Sequence, residues 1–139
     1  MSRVEQFLLG GGRYFESGNG RGAIHVGLVN NMPDAALRAT ELQFARLLKA
    51  AAGSLDVRLR LFSLRTIERS EDARARLAGF YDDAAFLQAS NIDALIVTGA
   101  QPGAADLHSE PYWAELAHLI DWAVIGTLSR PFKTSTRPD

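Results

Sequence analysis

Short apolar segments alternate with longer amphipathic ones along this chain, and this alternation constrains the fold more than any other feature. Residues 23–30 (AIHVGLVN) and 92–100 (IDALIVTGA) are nearly continuous apolar runs of strand length. Such runs are typical of strands that are covered on both faces in a parallel sheet. The stretch from Leu55 to Phe62 instead alternates apolar and charged residues, which predicts a strand with one wet face at or near a sheet edge.

Apolar residues at helical spacing follow each predicted strand. We expect Asp34 to cap a first helix that Gly53 ends, and Ser70 to start a second helix that runs to about Phe80. Ser109 is expected to cap a third helix, with Glu110 and Pro111 in its first turn, where an acid and a proline fit. The predicted inward stripe of this third helix comprises Trp113, Leu116, Ala117, Ile120 and Val124. The repeated strand–helix order predicts an α/β fold with a doubly wound, mainly parallel sheet and right-handed crossovers.

Three segments divide the chain. Residues 1–22 are rich in glycine, which makes an ordered backbone costly, and they are expected to form a mobile N-terminal arm. Residues 23–125 are expected to form the α/β domain. Residues 126–139 form a polar, divergent tail in which a fourth strand is expected. Thr127, Leu128 and Phe132 are candidates to start it, although Pro131 would remove one of its ladder hydrogen bonds.

Composition excludes several classes of function. The 139 residues are enough for one domain, and a net charge of −1 offers no basic surface for nucleic acid or a membrane. The absence of cysteine excludes disulfides, thiolate metal sites and a cysteine nucleophile. None of His25, His108 and His118 has a histidine four residues away, so no metal site is predicted. No apolar run is long enough to span a membrane and no signal peptide is recognisable, so a cytoplasmic location is expected.

Three stretches in this order resemble the homoserine O-succinyltransferase (homoserine O-acyltransferase) family. They are GLVNNMPDAALRATELQFARLL at 27–48, FYDD at 80–83 and IDALIVTGAQPGAADLHSEPYWAELAHLIDWA at 92–123. In the first stretch, the residues that match the family pattern are Met32, Pro33, Thr40, Glu41, Gln43, Arg46, Leu47 and Leu48. The resemblance covers about residues 23–125 and implies the fold of the class I glutamine amidotransferases, a flavodoxin-like α/β sheet.

The resemblance implies acyl transfer from succinyl-CoA to the hydroxyl of homoserine, a step of methionine biosynthesis that needs no cofactor beyond this co-substrate. In the family a cysteine carries the acyl group as a thioester, and a downstream His and Glu activate it. Here the cysteine position falls near Thr134, the chain has no cysteine, and its last residue is Asp139. We therefore assign no catalytic residue and expect a truncated, inactive copy. One hypothesis for the divergent tail is a frameshift.

Five residues are candidates for a substrate or acyl-donor site. Gly103 aligns with the position at which the family chooses its donor, where glycine accompanies succinyl and glutamate accompanies acetyl; alternatively it is an ordinary loop glycine. Gly99 and Ala100 follow a predicted buried strand, where ligands of open α/β sheets bind, or they serve a tight turn. Asn31 and Met32 either line the same crevice or, as we favour, provide turn chemistry.

A second hypothesis belongs to another class of function. A partial sheet exposes an unpaired edge and an apolar face. The chain is then a non-catalytic α/β module that binds a ligand or a partner, and a homodimer is one assembly that such a surface allows.

Overall fold

The computed structural model describes the backbone of residues 24–129 and the side chains of residues 24–125. The predicted arm at 1–22 and the tail beyond residue 129 lie outside this described part. Within it, the strands are β1 (Ile24–Val29), β2 (Val57–Ser63), β3 (Asp82–Asp83) and β4 (Ala94–Val97). The α-helices are α1 (Leu37–Ala52), α2 (Glu71–Phe80) and α3 (Trp113–Ser129), and short 3₁₀ helices span Asp34–Ala36, Ala84–Ala89 and Leu107–Ser109.

The described strands form one parallel sheet in the order β3-β2-β1-β4, which confirms the predicted α/β class. Each face of the sheet has its own core. Residues of β1 and β2 such as Val26 and Leu61 pack with Ala45 of α1 on one face. Phe62 and Leu119 of α3 belong to the core of the opposite face. Helices therefore cover both faces of the sheet, as a doubly wound arrangement requires.

β1 is the central strand, because it pairs with β2 from Ile24 to Val29 and with β4 from Val26 to Val29. Gly27 lies at its middle. A Cβ atom there would come within 3.3 Å of Ile92 Cγ2 and 3.4 Å of Leu87 Cδ2. The glycine therefore permits a close approach of the segment that precedes β4 to the centre of the sheet.

β2 lies near an edge, as its alternating pattern predicts. Its outer neighbour β3 pairs only with Phe62 and Ser63, so the first part of β2 has no outer partner strand among residues 24–129. On the predicted wet face, Arg60 is 31% exposed along its side chain and so is only partly in contact with solvent. Its guanidinium lies 2.9 Å from Asp82 and donates to the Ser90 hydroxyl at 2.8 Å.

The prediction that the 92–100 strand is covered on both faces is wrong. Only Ala94–Val97 form β4; Ala94 is exposed and the other three residues are half-buried. β4 pairs with β1 on one side and has no partner on its other side among the described residues. Its apolar composition is that of an interior strand, yet in the described part it lies at the edge.

Two predicted helix starts are corrected. Asp34 does not cap α1; it begins a 3₁₀ turn, and its carboxylate accepts the backbone N–H of Ser70 at 2.8 Å. Ser109 does not cap α3, which begins at Trp113; it ends a 3₁₀ turn capped by Asp106, whose carboxylate accepts the Ser109 N–H at 3.1 Å. The Ser70 start of α2 is confirmed, since its hydroxyl accepts from the Ala73 N–H.

The inward stripe of α3 is also different from the prediction. The residues that pack on the sheet around this helix are Tyr112, Leu116, Leu119 and Trp122. Ile120 and Val124 are 44% and 53% exposed. Leu116 belongs to both the predicted and the observed stripe, which confirms that part of the prediction. At 3.6 residues per turn, the other predicted positions lie roughly a quarter of a turn away from the buried ones.

The end of α3 departs from the prediction as well. The helix continues through Ser129, so Thr127 and Leu128 are helical and do not start a strand. No helix within residues 24–129 combines the length and apolar content that crossing a bilayer demands.

Candidate functional site

A cleft of about 930 Å³ opens beyond the carboxyl ends of β1 and β4. Its walls come from the loop after β1, the segment after β2 and the loop after β4; they include Asn31, Thr66, Arg69, Gly103 and Glu110. A smaller cavity of about 300 Å³ adjoins it and shares several of these walls. In open α/β sheets this end of parallel strands is where ligands bind.

The structure brings four of the five sequence-predicted residues to these cavities. Asn31 and Ala100 line both, Gly103 lines the larger cleft and Gly99 lines the smaller cavity. Met32 lines neither cavity. The crevice predicted from the apolar strand ends therefore exists, and Met32 lies outside its lining.

The two asparagines after β1 have different roles. Asn30 is fully buried; its side-chain amide donates to the Leu37 carbonyl at 3.1 Å, and its oxygen accepts the Met32 N–H at 3.2 Å. Asn30 therefore provides turn chemistry, the role that the sequence favoured for its neighbours Asn31 and Met32. Asn31 instead joins two strands, because its backbone N–H donates to the Thr98 hydroxyl at 2.7 Å and its amide donates to the Thr98 carbonyl at 3.2 Å.

One atom of the Asn31 side chain has no partner among the described residues. The residue is only 2% exposed, yet its Oδ1 accepts no hydrogen bond within residues 24–125. A buried acceptor without a donor is costly, and such groups are rare in folded proteins. This oxygen is itself buried, so it lies beneath the lining that Asn31 contributes to the two cavities.

A buried network of hydrogen bonds and one ion pair connects the loop after β1 to α1 and α2. Glu41 on α1 is fully buried, and its carboxylate forms an ion pair with Arg76 of α2 and accepts the Tyr81 hydroxyl at 2.5 Å. The same hydroxyl accepts from the Asn30 amide at 2.9 Å. Burial, followed by the neighbouring Glu41 charge, raises the pKa of Tyr81 far above its usual value, so the phenol remains a protonated donor.

Glu110 holds the loop that carries Gly103. Its Oε1 accepts the backbone N–H groups of Gly103 at 2.8 Å and Ala104 at 2.9 Å, and the residue is nearly buried. A Cβ atom at position 103 would lie 3.7 Å from Glu110 Oε2, which is ordinary van der Waals contact. The position next to this carboxylate is therefore spacious enough for a side chain, and glycine leaves it empty.

Arg69 places a positive charge in the wall of the cleft. The buried guanidinium donates to the backbone carbonyl of Asn30 at 3.1 Å and to that of Met32, and it pairs with Asp34 at 3.2 Å. Its Nε finds no hydrogen-bond acceptor in the described part of the chain. The chain has no cysteine, and no histidine lines either cavity within residues 24–129. The described cleft therefore offers hydrogen-bonding groups and charged groups, but its lining contains no cysteine nucleophile and no histidine that could act as its base.

Sequence reasoning missed Glu41, Arg69 and Glu110 as parts of this site. For Glu41 a signal existed: Leu37, Glu41 and Ala45 follow each other at four-residue spacing, so the acid stands on the apolar face of α1. For Glu110 the local pattern is misleading. A glutamate just before a proline and a helix is typical of an acid in the first turn of that helix, whereas here its carboxylate binds the backbone of the preceding loop.

Fold and cleft together define a doubly wound α/β domain with a polar crevice at the carboxyl ends of its parallel strands. The family model described as homoserine O-succinyltransferase matches residues 18–131, which is most of the chain. The chain therefore belongs to the homoserine O-succinyltransferase family, as the three sequence motifs indicated.

Individual relatives agree with this assignment. The chain is 56% identical over 106 residues to the homoserine O-succinyltransferase of Rhodopseudomonas palustris, covering 76% of this chain and 32% of that protein. It is 52% identical over 103 residues to the protein of the same name from Bradyrhizobium japonicum, covering 73% and 32%. For that of Methylorubrum extorquens the identity is 49% over 100 residues, covering 72% and 29%. The chain spans about a third of the length of the curated relatives it matches.

Proposed function

We propose that the cleft binds the acyl donor of a homoserine O-acyltransferase reaction, with succinyl-CoA as the donor and homoserine as the acceptor. The observation that carries this proposal is the position of Gly103 in the wall of the cleft, held by Glu110 with open space beside it. In this proposal the protein belongs to methionine biosynthesis and works in the cytoplasm.

Glycine at position 103 favours a donor that carries its own carboxylate. A glutamate there would fill the empty space and set a second negative charge close to Glu110, whose Oε2 lies 3.7 Å from the Cβ position. With glycine, the space remains free for a succinyl group. Glu110 is already engaged by two backbone N–H groups, and Arg69, which pairs with Asp34, is the one basic residue in the described lining, beside the acids Asp34, Glu68 and Glu110. The support for a succinyl group over acetyl is therefore the space beside position 103, not the net charge of the cleft.

We further propose that the chain alone binds the donor without transferring the acyl group. A thioester mechanism needs a thiolate, and this sequence has no cysteine. A coupled assay with succinyl-CoA and homoserine tests this part, with released CoA detected by a thiol reagent; the absence of protein thiols keeps the background low. We expect no release above the rate without protein. Turnover by the 139-residue chain would contradict the proposed inactivity.

The donor preference is tested separately by calorimetric titration with succinyl-CoA and acetyl-CoA. We expect tighter binding of succinyl-CoA, and a loss of that preference by about tenfold in Gly103→Glu. The matched control is Gly79→Glu, which adds the same charge at an exposed glycine of α2 that has nothing within 4 Å of its Cβ position. Equal affinities for both donors, or equal behaviour of both variants, would exclude Gly103 as the selecting residue.

A second candidate function is a non-catalytic interaction module. The exposed apolar side chains of α3 and the outer side of β4 favour it, because both are surfaces that a protein partner covers. Size-exclusion chromatography across a range of concentrations separates a monomer from a homodimer of this chain.

A further inference from the structure

The two carboxylate oxygens of Glu110 have different surroundings. Oε1 accepts the backbone N–H groups of Gly103 at 2.8 Å and Ala104 at 2.9 Å. Oε2 accepts no hydrogen bond from residues 24–125, although Glu110 is only 7% exposed. A carboxylate that has lost most of its water is costly unless donors surround it. Oε2 is therefore an acceptor that the described part of the chain leaves available.

Oε2 lies at the open space beside Gly103. It is 3.7 Å from the position that a Cβ atom of residue 103 would occupy, and no other described atom beyond the neighbouring residues comes within 4 Å of that position. Gly103 lines the larger cleft, and Glu110 lines both the larger cleft and the smaller cavity. Unlike the buried Oδ1 of Asn31, this oxygen therefore lies where a ligand in the cleft can donate to it.

The lining of the two cavities carries more negative than positive charge. Its acidic residues are Asp34, Glu68, Asp106 and Glu110, and its one basic residue within residues 24–125 is Arg69. Arg69 is already paired with Asp34. A concave surface with an excess of one sign of charge concentrates ligands of the opposite sign. The cleft therefore favours a positively charged group, and Glu110 provides an acceptor for it.

The geometry of Glu110 discriminates between cationic groups. A guanidinium binds best to a carboxylate whose two oxygens are both free, and Oε1 of Glu110 already has two donors. A divalent metal ion needs several ligands, and the described residues contain no group of three acidic, histidine or cysteine side chains that could hold one. A primary ammonium is a compact charge that can donate to a single carboxylate oxygen, so it is the cation that fits.

We propose that Oε2 of Glu110 and the space beside Gly103 form a subsite for a primary ammonium group, and that this group is the amino group of the acceptor amino acid. The inference rests on the proposed function for the identity of the acceptor. It also removes a difficulty of that function, since a succinyl carboxylate beside Glu110 would meet a charge of the same sign. An ammonium group between the two carboxylates compensates this repulsion.

The subsite is tested with the full 139-residue chain and three small probes that share a hydroxyl group. Homoserine carries an ammonium and a carboxylate group, γ-aminopropanol carries the ammonium group alone, and γ-hydroxybutyrate carries the carboxylate group alone. Each probe is titrated while the backbone amide NMR signals of Gly103 and Ala104 are followed. We expect homoserine and γ-aminopropanol to shift these signals to saturation, and γ-hydroxybutyrate to leave them in place. Equal shifts with γ-hydroxybutyrate and γ-aminopropanol, or no shift with any probe, would overturn the proposal.

Glu110→Gln removes the charge and puts an amide NH2 group in place of Oε2, while its remaining oxygen can still accept both loop N–H groups. Binding of γ-aminopropanol should weaken by about tenfold or more, because a charge-assisted hydrogen bond is lost. The matched control is Glu115→Gln. Glu115 also accepts two backbone N–H groups, those of Arg65 at 3.1 Å and Thr66 at 3.2 Å, but it lines neither cavity. Equal weakening in both variants would count against Glu110 as the acceptor.

A second variant covers the case in which the loop rearranges in Glu110→Gln. Gly103→Ala keeps the carboxylate and adds a methyl group at ordinary contact distance from Oε2. Binding of γ-aminopropanol should then be largely lost, while far-UV circular dichroism shows the fold of the unmodified chain. Unchanged binding in Gly103→Ala would rule out the space beside this residue as the subsite.

Titration with succinyl-CoA separates this inference from the proposed function. If succinyl-CoA binds and no ammonium probe does, the donor site stands and the ammonium subsite is wrong. If γ-aminopropanol binds through Glu110 and succinyl-CoA does not bind, the subsite stands and the proposed donor site is wrong. Homoserine that binds equally well to Glu110→Gln would also overturn the subsite and leave the acyltransferase proposal intact.

Discussion

The hydroxyl of Tyr81 links three elements, and its removal gives the sharpest test of how the loop after β1 is supported. Tyr81→Phe takes one donor from the buried Glu41 carboxylate and one acceptor from the Asn30 amide. Glu41 keeps Arg76, and Asn30 keeps the Leu37 carbonyl. A hydrogen bond to a charged group contributes about 2 kcal/mol and a neutral one about 1 kcal/mol. The free energy of unfolding should therefore fall by about 3 kcal/mol.

Urea unfolding at pH 7, followed by far-UV circular dichroism, measures this change. The urea concentration at the unfolding midpoint should fall. The slope of the unfolding free energy against urea concentration should stay the same, because the variant removes one oxygen and no buried surface. Tyr112→Phe is the matched control: this ring is also buried, and its hydroxyl has no hydrogen-bond partner in the described part of the chain. The control should lose less than about 0.5 kcal/mol. Equal losses in the two variants would refute the network as a source of stability.

Two further predictions concern pH and packing. The Ser70 backbone N–H holds the pKa of Asp34 below its ordinary value of 3.8. Charged Asp34 therefore stabilises the fold above that pH, and this contribution is lost as the pH falls through the folded-state pKa. Asp34→Asn should therefore be less stable than the unmodified chain at pH 7 and equal to it at a pH of about 2, in urea titrations at both values; a difference that persists in acid would contradict this. Gly27→Val should lower the free energy of unfolding by about 2 kcal/mol, since side chains already lie 3.3–3.4 Å from the added Cβ. An unchanged urea midpoint would show that the centre of the sheet adapts.

Much of the fold could be predicted from apolar patterning. The runs that contain β1 and β4, the alternation of β2 and the Ser70 cap of α2 are local signals, and local signals decide whether a segment is strand or helix. Asn31, Gly99, Ala100 and Gly103 were placed near one crevice because parallel strands align their carboxyl ends.

The missed features depend on partners that are distant in sequence. The side of α3 that faces the sheet cannot be chosen from a helix with two apolar stripes, because Ile120 and Leu119 are both apolar and only the sheet decides between them. Local patterns predict Asp34 as a helix cap and Glu110 as an acid in the first turn of the next helix. Asp34 instead accepts a backbone N–H 36 residues away, and Glu110 accepts two backbone N–H groups of a loop that lies seven and six residues before it.

The central place of β1 has a consequence for the order in which the chain acquires its structure. β1 leaves the ribosome first among the described strands, and its partner β2 follows after one helix. The pairing on its other side, next to β4, joins residues that are much further apart in sequence: His25 and Asp93 are separated by 68 positions. Closing such a long loop is slow compared with forming the β1–α1–β2 unit. One flank of β1 therefore remains unpaired until β4 has been synthesised, and this flank is exposed to aggregation during that interval.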